Sequence, residues 1–275
     1  MGESTHRHMD RTLSKTPERN TTRAVILGAG NVATHLATSL SRHITVAQIY
    51  NHHIGHAKEL AEATGACATD DLSKLTDDAD IYIISVKDDA IMPLASALGH
   101  RKGLWVHTSG SVPMSALQPI TETYGVLYPM QTFSKSVPVD MSKVPIFIEG
   151  STDATQQRIS SIASLISPNV YTATSEQRAL LHVAAVFACN FTNYLWGHCA
   201  DILKRSGLGL DIMKPLIEAT LEKAMTAGPK DGQTGPARRN DRAVIEKHLS
   251  MLDGEAKDIY AQLSKYIIDK YSDPQ

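Results

Sequence analysis

The sequence predicts an α/β domain, a doubly wound parallel sheet with helices on both faces, followed by an all-α C-terminal domain. Short uncharged apolar runs such as Ala24-Val25-Ile26-Leu27 and Ile81-Tyr82-Ile83-Ile84 alternate with segments of helical spacing, as strands buried on both faces do. A glycine-containing turn, Gly28-Ala29-Gly30-Asn31-Val32-Ala33, joins the first run to the first helix. Past residue 171 the alternation stops and only helical periodicity remains.

Residues 1–22 carry His6, Arg7, His8, Arg11, Lys15 and Arg19 with almost no apolar content, so they have little surface to bury against the entropy of ordering and are expected to form a flexible tail. The α/β domain spans 23–171. Its first strand, 24–27, leads into a helix marked by Val32, Leu36 and Leu40, and a second strand follows at 44–50. A helix at 56–63, a buried strand at 81–85, a helix at 89–98 and a strand at 104–107 continue the pattern. Segments 124–128 and 145–149 could extend the sheet before a helix around 154–166. The domain 172–275 opens on a capping box, Thr174-Ser175-Glu176-Gln177, and a long apolar helix then runs to about Lys204, stopped by Gly207 and Gly209. Residues 213–227, 242–252 and 255–271 complete the helical domain, with Val244, Ile245, His248, Leu249 and Leu252 on one face.

With 27 Lys and Arg against 29 Asp and Glu, the chain has no electrostatic footprint for nucleic acid or an anionic membrane, which leaves a small molecule as the expected partner. Cys67, Cys189 and Cys199 are odd in number and far apart, which argues against a disulfide framework and against a structural metal site and fits a reducing cytoplasm. No stretch reads as a membrane span or as a signal segment.

The glycine turn carries the first functional expectation. Between a buried strand and a helix, Gly28 can take the tight turn, Gly30 leaves room for a pyrophosphate against bare backbone, and Ala33 lets the helix pack close to the strand. The helix N-terminus, with Asn31 and Val32 in its first turn, offers unpaired amides and the positive end of its dipole to the phosphates. That context is the Rossmann dinucleotide-binding arrangement; the bare alternative is a tight turn without a ligand. In an NAD site a carboxylate at the end of the second strand holds the ribose hydroxyls. Here that end reads Tyr50-Asn51-His52-His53. Without an acid there is nothing to repel a 2′-phosphate, and Asn51, His52 and His53 could donate to it, so NADP is favoured over NAD. The alternative for the histidines is a solvated loop ahead of a helix.

Gly28-Ala29-Gly30-Asn31-Val32-Ala33, Ser85-Val86-Lys87-Asp88-Asp89, His107-Thr108-Ser109-Gly110 and Tyr128-Pro129-Met130-Gln131-Thr132-Phe133, in that order, resemble the Rossmann-like NADP oxidoreductases whose C-terminal helical domain has no known function. In the second domain Arg178, His182, Ala184-Ala185, Asn190, Thr234-Gly235-Pro236, Arg239, Asp241 and His248 extend the resemblance. Lys87 and Tyr128 depart from it, since members often carry Pro and His there. These proteins are similar to pyrroline-5-carboxylate reductase and, more distantly, to the beta-hydroxyacid dehydrogenases. The resemblance implies hydride transfer between NADPH and a small carbonyl or imine bound between the domains, and a homodimer formed through the helical domain.

Open parallel sheets bind ligands at the carboxyl ends of their strands, which places Ser85, Val86 and Lys87 beside the nicotinamide half, with His107 and Ser109 nearby. Ser109 and the Gly110 amide could bind a carbonyl or carboxylate, and His107 could orient the loop or exchange a proton; equally, all three could satisfy local backbone. His182 sits in the apolar stretch 180–187, where a histidine is usually a satisfied core residue. The related dehydrogenases keep a catalytic Lys near this point of the interdomain helix and an Asn further along, which implies a proton donor at His182 and a substrate-binding amide at Asn190. On a helix Asn190 would lie about 12 Å along and roughly 80° around from His182, so the two would touch different parts of a ligand. Arg238 and Arg239, in the loop 234–241, could reach a carboxylate or serve the fold, with Asn240 or Asp241 capping the next helix. A non-catalytic NADP-binding sensor is the alternative function, and the missing acid weighs against an adenosylmethionine site.

Overall fold

The computed structural model describes residues 22–271; the expected tail, apart from Thr22, lies outside the described residues. The chain runs β1 (Arg23–Leu27), α1 (Asn31–Leu40), β2 (Thr45–Tyr50), α2 (Ile54–Thr64), β3 (Cys67–Thr69), β4 (Ile81–Ile84), α3 (Asp88–Leu98), β5 (Leu104–His107), β6 (Tyr124–Pro129), β7 (Ile146–Gly150), α4 (Asp153–Ala163), β8 (Val170–Thr172) and α5 (Ser175–Ala185). A π-helical turn, Val186–Phe191, is followed by α6 (Thr192–Lys204), α7 (Lys214–Ala227), the short α8 (Pro229–Gly232), α9 (Arg242–Met251) and α10 (Gly254–Tyr271).

The eight strands form one sheet in the order β3-β2-β1-β4-β5-β6-β7-β8. Every neighbouring pair is parallel except β6 with β7. The expected fold class is therefore the observed one, with a single antiparallel pair inside the sheet. Alternate residues of β1 enter opposite cores: Ala24 and Ile26 pack toward α1 and α2, Val25 and Leu27 toward α3 and Trp105. Burial on both faces is why these strands read as unbroken apolar runs. The three-residue β3 and β8 were not expected, being too short to show any periodicity.

The direction in which strands are added to the sheet reverses between β1 and β4, since β2 and β3 lie on one side of β1 and all later strands on the other. The carboxyl ends of strands at such a switch point form a crevice. Gly28, Ser85 and Thr108 follow the strands that end there.

The described chain divides into two compact units, one up to Phe187 and one from Ala188. The capping box at the start of α5 forms as the sequence predicts: the Gln177 amide donates to Thr174 Oγ1 at 3.3 Å, and the Thr174 amide to Gln177 Oε1 at 2.9 Å. The helix expected to run unbroken to Lys204 is instead interrupted by the π-helical turn, which contains no Gly or Pro to announce it. The stretch Ser175–Lys204 is, contrary to the sequence reading, long and apolar enough to cross a membrane by length and composition, although His182, Asn190, Asn193 and His198 interrupt its apolar surface.

The second unit buries few apolar side chains, among them Leu203, Ala237 and Ile245, while Leu216, Leu221 and Met225 of α7 are 60% exposed or more. Asp241 is the N-cap of α9, accepting from the Val244 amide at 3.3 Å, and Arg238 lies over the Tyr271 ring at 4.8 Å. Arg238 thus braces the end of α10.

Candidate functional site

The glycine turn is built by close backbone approach. Gly28 has φ +124°, and a Cβ there would lie 2.0 Å from the Ser85 carbonyl oxygen, so only glycine lets the chain leave β1 beside β4. Its amide donates to the Tyr50 carbonyl at 2.7 Å, which ties the turn to β2 as well. Gly30 faces open space: no atom lies within 4 Å of where its Cβ would be. Gly30 is also the N-cap of α1, and it makes no side-chain cap bond. The first turn of α1 holds no acid, so its amides and the dipole end present unopposed positive charge. A bare backbone cradle at a helix N-terminus fits a pyrophosphate. Ala33 is fully buried and lies in the core, where it sets the spacing of helix and strand and does not line the crevice.

The crevice is a cavity of about 980 Å³ in the first unit. Gly28 to Val32 form its floor, Asn51, His52, His53 and His56 close one end, and Ser85, Thr108, Gly110, Tyr128 and His182 form the other. Asn51 is buried, and its Nδ2 donates to the His53 carbonyl at 3.1 Å, so its side chain shapes the turn as well as facing the cavity. His52 and His53 are exposed, with ring centroids 4.1 Å apart, and His53 lies 5.7 Å from His56. Lys135 reaches the same cavity from the loop after β6: its amide donates to Asn31 Oδ1 at 3.3 Å, and its ammonium lies 3.7 Å from Glu59. Val86 and Lys87 border the cavity at the start of α3.

At the opposite end, Thr108 Oγ1 donates to Ser85 Oγ at 3.2 Å. Tyr128, at the end of β6, lies with its hydroxyl 3.2 Å from His182 Nδ1. Gly110 sits against both rings, since a Cβ there would come within 2.8 Å of His182 Nδ1 and 2.9 Å of Tyr128 Cζ. Helix α5 brings His182 into the first unit's own cavity. Asn190 lies exposed on the π-helical turn, in the second unit and outside that cavity's lining.

His107 is fully buried beneath this end and does not line the cavity. Its Nδ1 accepts from the Ser109 amide at 3.2 Å, which leaves Nε2 as the donor to the Pro113 carbonyl at 3.3 Å. Burial first, and the nearby Arg178 charge second, push its pKa down to about 4, so the ring is neutral at physiological pH. Ser109 Oγ accepts from the amides of Ser111 and Val112 at 3.1 and 3.0 Å and so caps the turn. His107 thus holds the loop from beneath, while Ser109 caps it and also lines the cavity.

A solved structure, the "putative NADP oxidoreductase" of Bacteroides fragilis, is 42% identical to this chain and superposes with a TM-score of 0.85; the match covers 90% of this chain and 98% of that one. The chain belongs to that family of NADP oxidoreductases. A family model described as a domain of unknown function, DUF2520, matches residues 144–267, and one described as shikimate/quinate 5-dehydrogenase matches residues 11–98. Two more distant structures share the fold. A reductive aminase from Aspergillus terreus, in complex with NADPH and ethyl-5-oxohexanoate, has a TM-score of 0.68 at 14% identity, covering 91% of this chain and 95% of that one. The 1-pyrroline-5-carboxylate reductase of Streptococcus pyogenes has a TM-score of 0.64 at 14% identity, covering 91% and 98%. The curated proteins provide no match.

Within this NADP oxidoreductase, sequence reasoning missed His56, Tyr128 and Lys135 among the residues that line the cavity, whereas Thr108 falls in the His107-Thr108-Ser109-Gly110 segment expected there. Tyr128 had a signal, because it ends a strand at the side of the sheet where ligands bind. His56 had a weaker one, standing one helical turn beyond the His52-His53 pair. Lys135 had none, since only the fold of the loop after β6 carries it to Asn31 across 104 residues.

Proposed function

We propose that this chain is an NADPH-dependent reductase of small carbonyl or imine substrates. The observation that carries the reading is one continuous cavity, with a side-chain-free phosphate cradle at its floor and two protic side chains, Tyr128 and His182, in contact at one end. Gly28, Ala29, Gly30 and the amides of Asn31 and Val32 would hold the pyrophosphate, with Ala33 keeping α1 close. Asn51, His52 and His53, joined by His56 and Lys135, would face the adenosine ribose, where four nitrogen-rich side chains and an amide favour a 2′-phosphate. Ser85, Val86 and Lys87 would border the nicotinamide. When bound, that ring supplies the hydride.

The chain's own groups then have separate tasks. Tyr128 and His182 hold a proton between a phenol oxygen and an imidazole nitrogen, and His182 delivers it to the substrate oxygen or nitrogen as that atom gains charge. The Gly110 amide and the Ser85 and Thr108 hydroxyls orient the reacting group. His107, neutral and fully engaged, fixes the loop from which Ser109 and Gly110 hang. Asn190, in the second unit and outside the lining of the cavity, takes no part in these steps.

We infer also that the protein dimerises through the helical unit, because that unit leaves large apolar side chains on α6 and α7 exposed while burying little of its own. Three free thiols, two of them exposed, fit a reducing cytoplasm.

Calorimetry of the full chain with NADPH, NADH and adenosylmethionine tests the cofactor; NADPH is expected to bind tightest, and binding of adenosylmethionine alone would overturn the reading. A screen of NADPH oxidation against keto acids, ketones with amines, and cyclic imines tests the reaction, with His182→Ala and Asn190→Ala alongside. Wild-type turnover in His182→Ala would remove His182 from the proton step. NADPH binding without oxidation of any substrate would point to a sensor.

A further inference from the structure

Arg178 is the one charged residue of the family resemblance in α5 that no step above uses, and it is the second largest fully buried side chain in the described chain after Trp105. An arginine with no solvent exposure must repay the loss of its hydration through hydrogen bonds of good geometry. Here all three of its guanidinium nitrogens donate. Nη1 donates to Glu149 Oε2 at 2.6 Å, Nε to the Ser109 carbonyl at 3.1 Å, and Nη2 to the Val112 carbonyl at 2.6 Å and Ser175 Oγ at 3.3 Å.

The partners are held in turn. Glu149, on β7, accepts from the Ser175 amide through Oε1 at 2.9 Å and from Ser175 Oγ through Oε2 at 2.7 Å. Ser175 Oγ also accepts from the Met114 amide at 3.2 Å. The network therefore ties three pieces of chain together: the end of β7, the first turn of α5, and the loop from Ser109 to Met114.

Two features connect this network to the reacting end of the cavity. Arg178 and His182 are four residues apart on α5, so they project from the same helix face one turn apart. The two carbonyls that Arg178 grips, those of Ser109 and Val112, bracket Gly110, which leaves no room for a Cβ beside His182 and Tyr128. The same helical turn that presents His182 thus also grips the loop that backs it. An apolar side chain could fill the volume of Arg178, but it could not fix two carbonyls in one plane.

We propose that Arg178, oriented by Glu149, is the positioning residue of the site: it sets the Ser109–Val112 loop against α5 and so fixes the Tyr128–His182 pair. Arg178 does not itself line the cavity; it grips the carbonyl of Ser109, which does, and acts on the pair through the loop that holds Gly110. The inference rests on the reading of Tyr128 and His182 as the proton-donating pair, and its test is chosen so that the two can fail separately.

The variants are Arg178→Lys, which keeps the charge but loses the fork, and the double variant Glu149→Leu with Arg178→Met, which removes the pair without leaving an orphan charge and is the one expected to stay folded. Each is made in the full chain labelled with ¹⁵N-histidine, and the His182 ring signals are assigned by their absence from His182→Gln. NADPH is the binding probe. The expected result is a displaced or broadened His182 ring signal in both variants, with NADPH affinity within about threefold of wild type, a change of less than one tenfold step. Wild-type His182 signals in the folded double variant would overturn the proposal. So would a loss of NADPH affinity that parallels the loss of thermal stability, which is what a merely structural role predicts. Failure of the proton-donor reading shows elsewhere, as unchanged turnover in His182→Ala.

Discussion

At the end of the cavity proposed to hold phosphate, five consecutive residues from Gly28 to Val32 form the floor, with Ala33 buried behind them. At the reacting end, Ser85, Thr108, Gly110, Tyr128 and His182 come from segments spread over nearly a hundred residues and meet through their side chains. The first end needs glycine where nothing else fits, and a local string of letters records that need. The second needs a fold to assemble it, and no local string does. The phosphate end should therefore fail sharply when one backbone position is altered, and the reacting end through the loss of its supports.

The largest effect should come from Gly28→Val. The added carbons would stand where the Ser85 carbonyl is, at a φ of +124° that a β-branched residue does not adopt. Strands β1 and β4 would have to part, a loss above about 4 kcal/mol. We expect no NADPH binding by calorimetry and a large fall in soluble yield; a folded variant that binds NADPH as wild type does would refute the close-approach account.

At the other end the corresponding weak point is Glu149. Its carboxylate neutralises a guanidinium with no solvent exposure, so Glu149→Ala strands a buried charge at a cost of about 3–5 kcal/mol. Urea unfolding should show that loss, and the Glu149→Leu, Arg178→Met double variant should recover most of it. A double variant as unstable as the single one would show that the ion pair was not the source.

How much of each end was legible in the sequence follows from the same contrast. The alternation of apolar runs gave the sheet and its two covered faces, and the glycine turn marked the stretch whose first five residues, Gly28 to Val32, line the cavity, while Ala33 lies in the core. His182 was visible only through a resemblance, because a histidine in an apolar helix has a commoner explanation. Tyr128 and the Arg178 brace were invisible as a set, since Tyr128, Glu149 and Arg178 lie far apart in the chain and only the antiparallel β6–β7 pair and the turn into α5 bring them together. The π-helical turn carries no Gly or Pro in Val186–Phe191 to mark it in the sequence.

His107 gives the comparison a pH dependence. Its folded pKa, about 4, lies below the value near 6.5 of an unfolded imidazole. Between those values the unfolded chain takes up a proton that the folded chain refuses, so stability falls as pH drops from about 6.5 to about 4 and is fully present above that window. The total is about 3 kcal/mol. Unfolding at pH 7.5, 6 and 4.5 should show the slope, and His107→Asn should flatten it. Equal slopes in the two proteins would place the pH sensitivity elsewhere.

The smallest effect should lie at the exposed rim of the phosphate end. His53 is solvent-accessible and tilted against His52, so a hydrogen bond from it to a 2′-phosphate would compete with water and be worth about 1 kcal/mol. His53→Ala should therefore weaken NADPH by a few-fold and leave NADH unchanged, because only the first cofactor carries the phosphate. His56 and Lys135 face the same space and would carry part of the load, which keeps the single loss small and predicts a larger one when Lys135→Ala is added. The two cofactors titrated side by side against both variants decide the matter: parallel weakening of NADH and NADPH would mean that His53 shapes the turn before α2 and reads no phosphate.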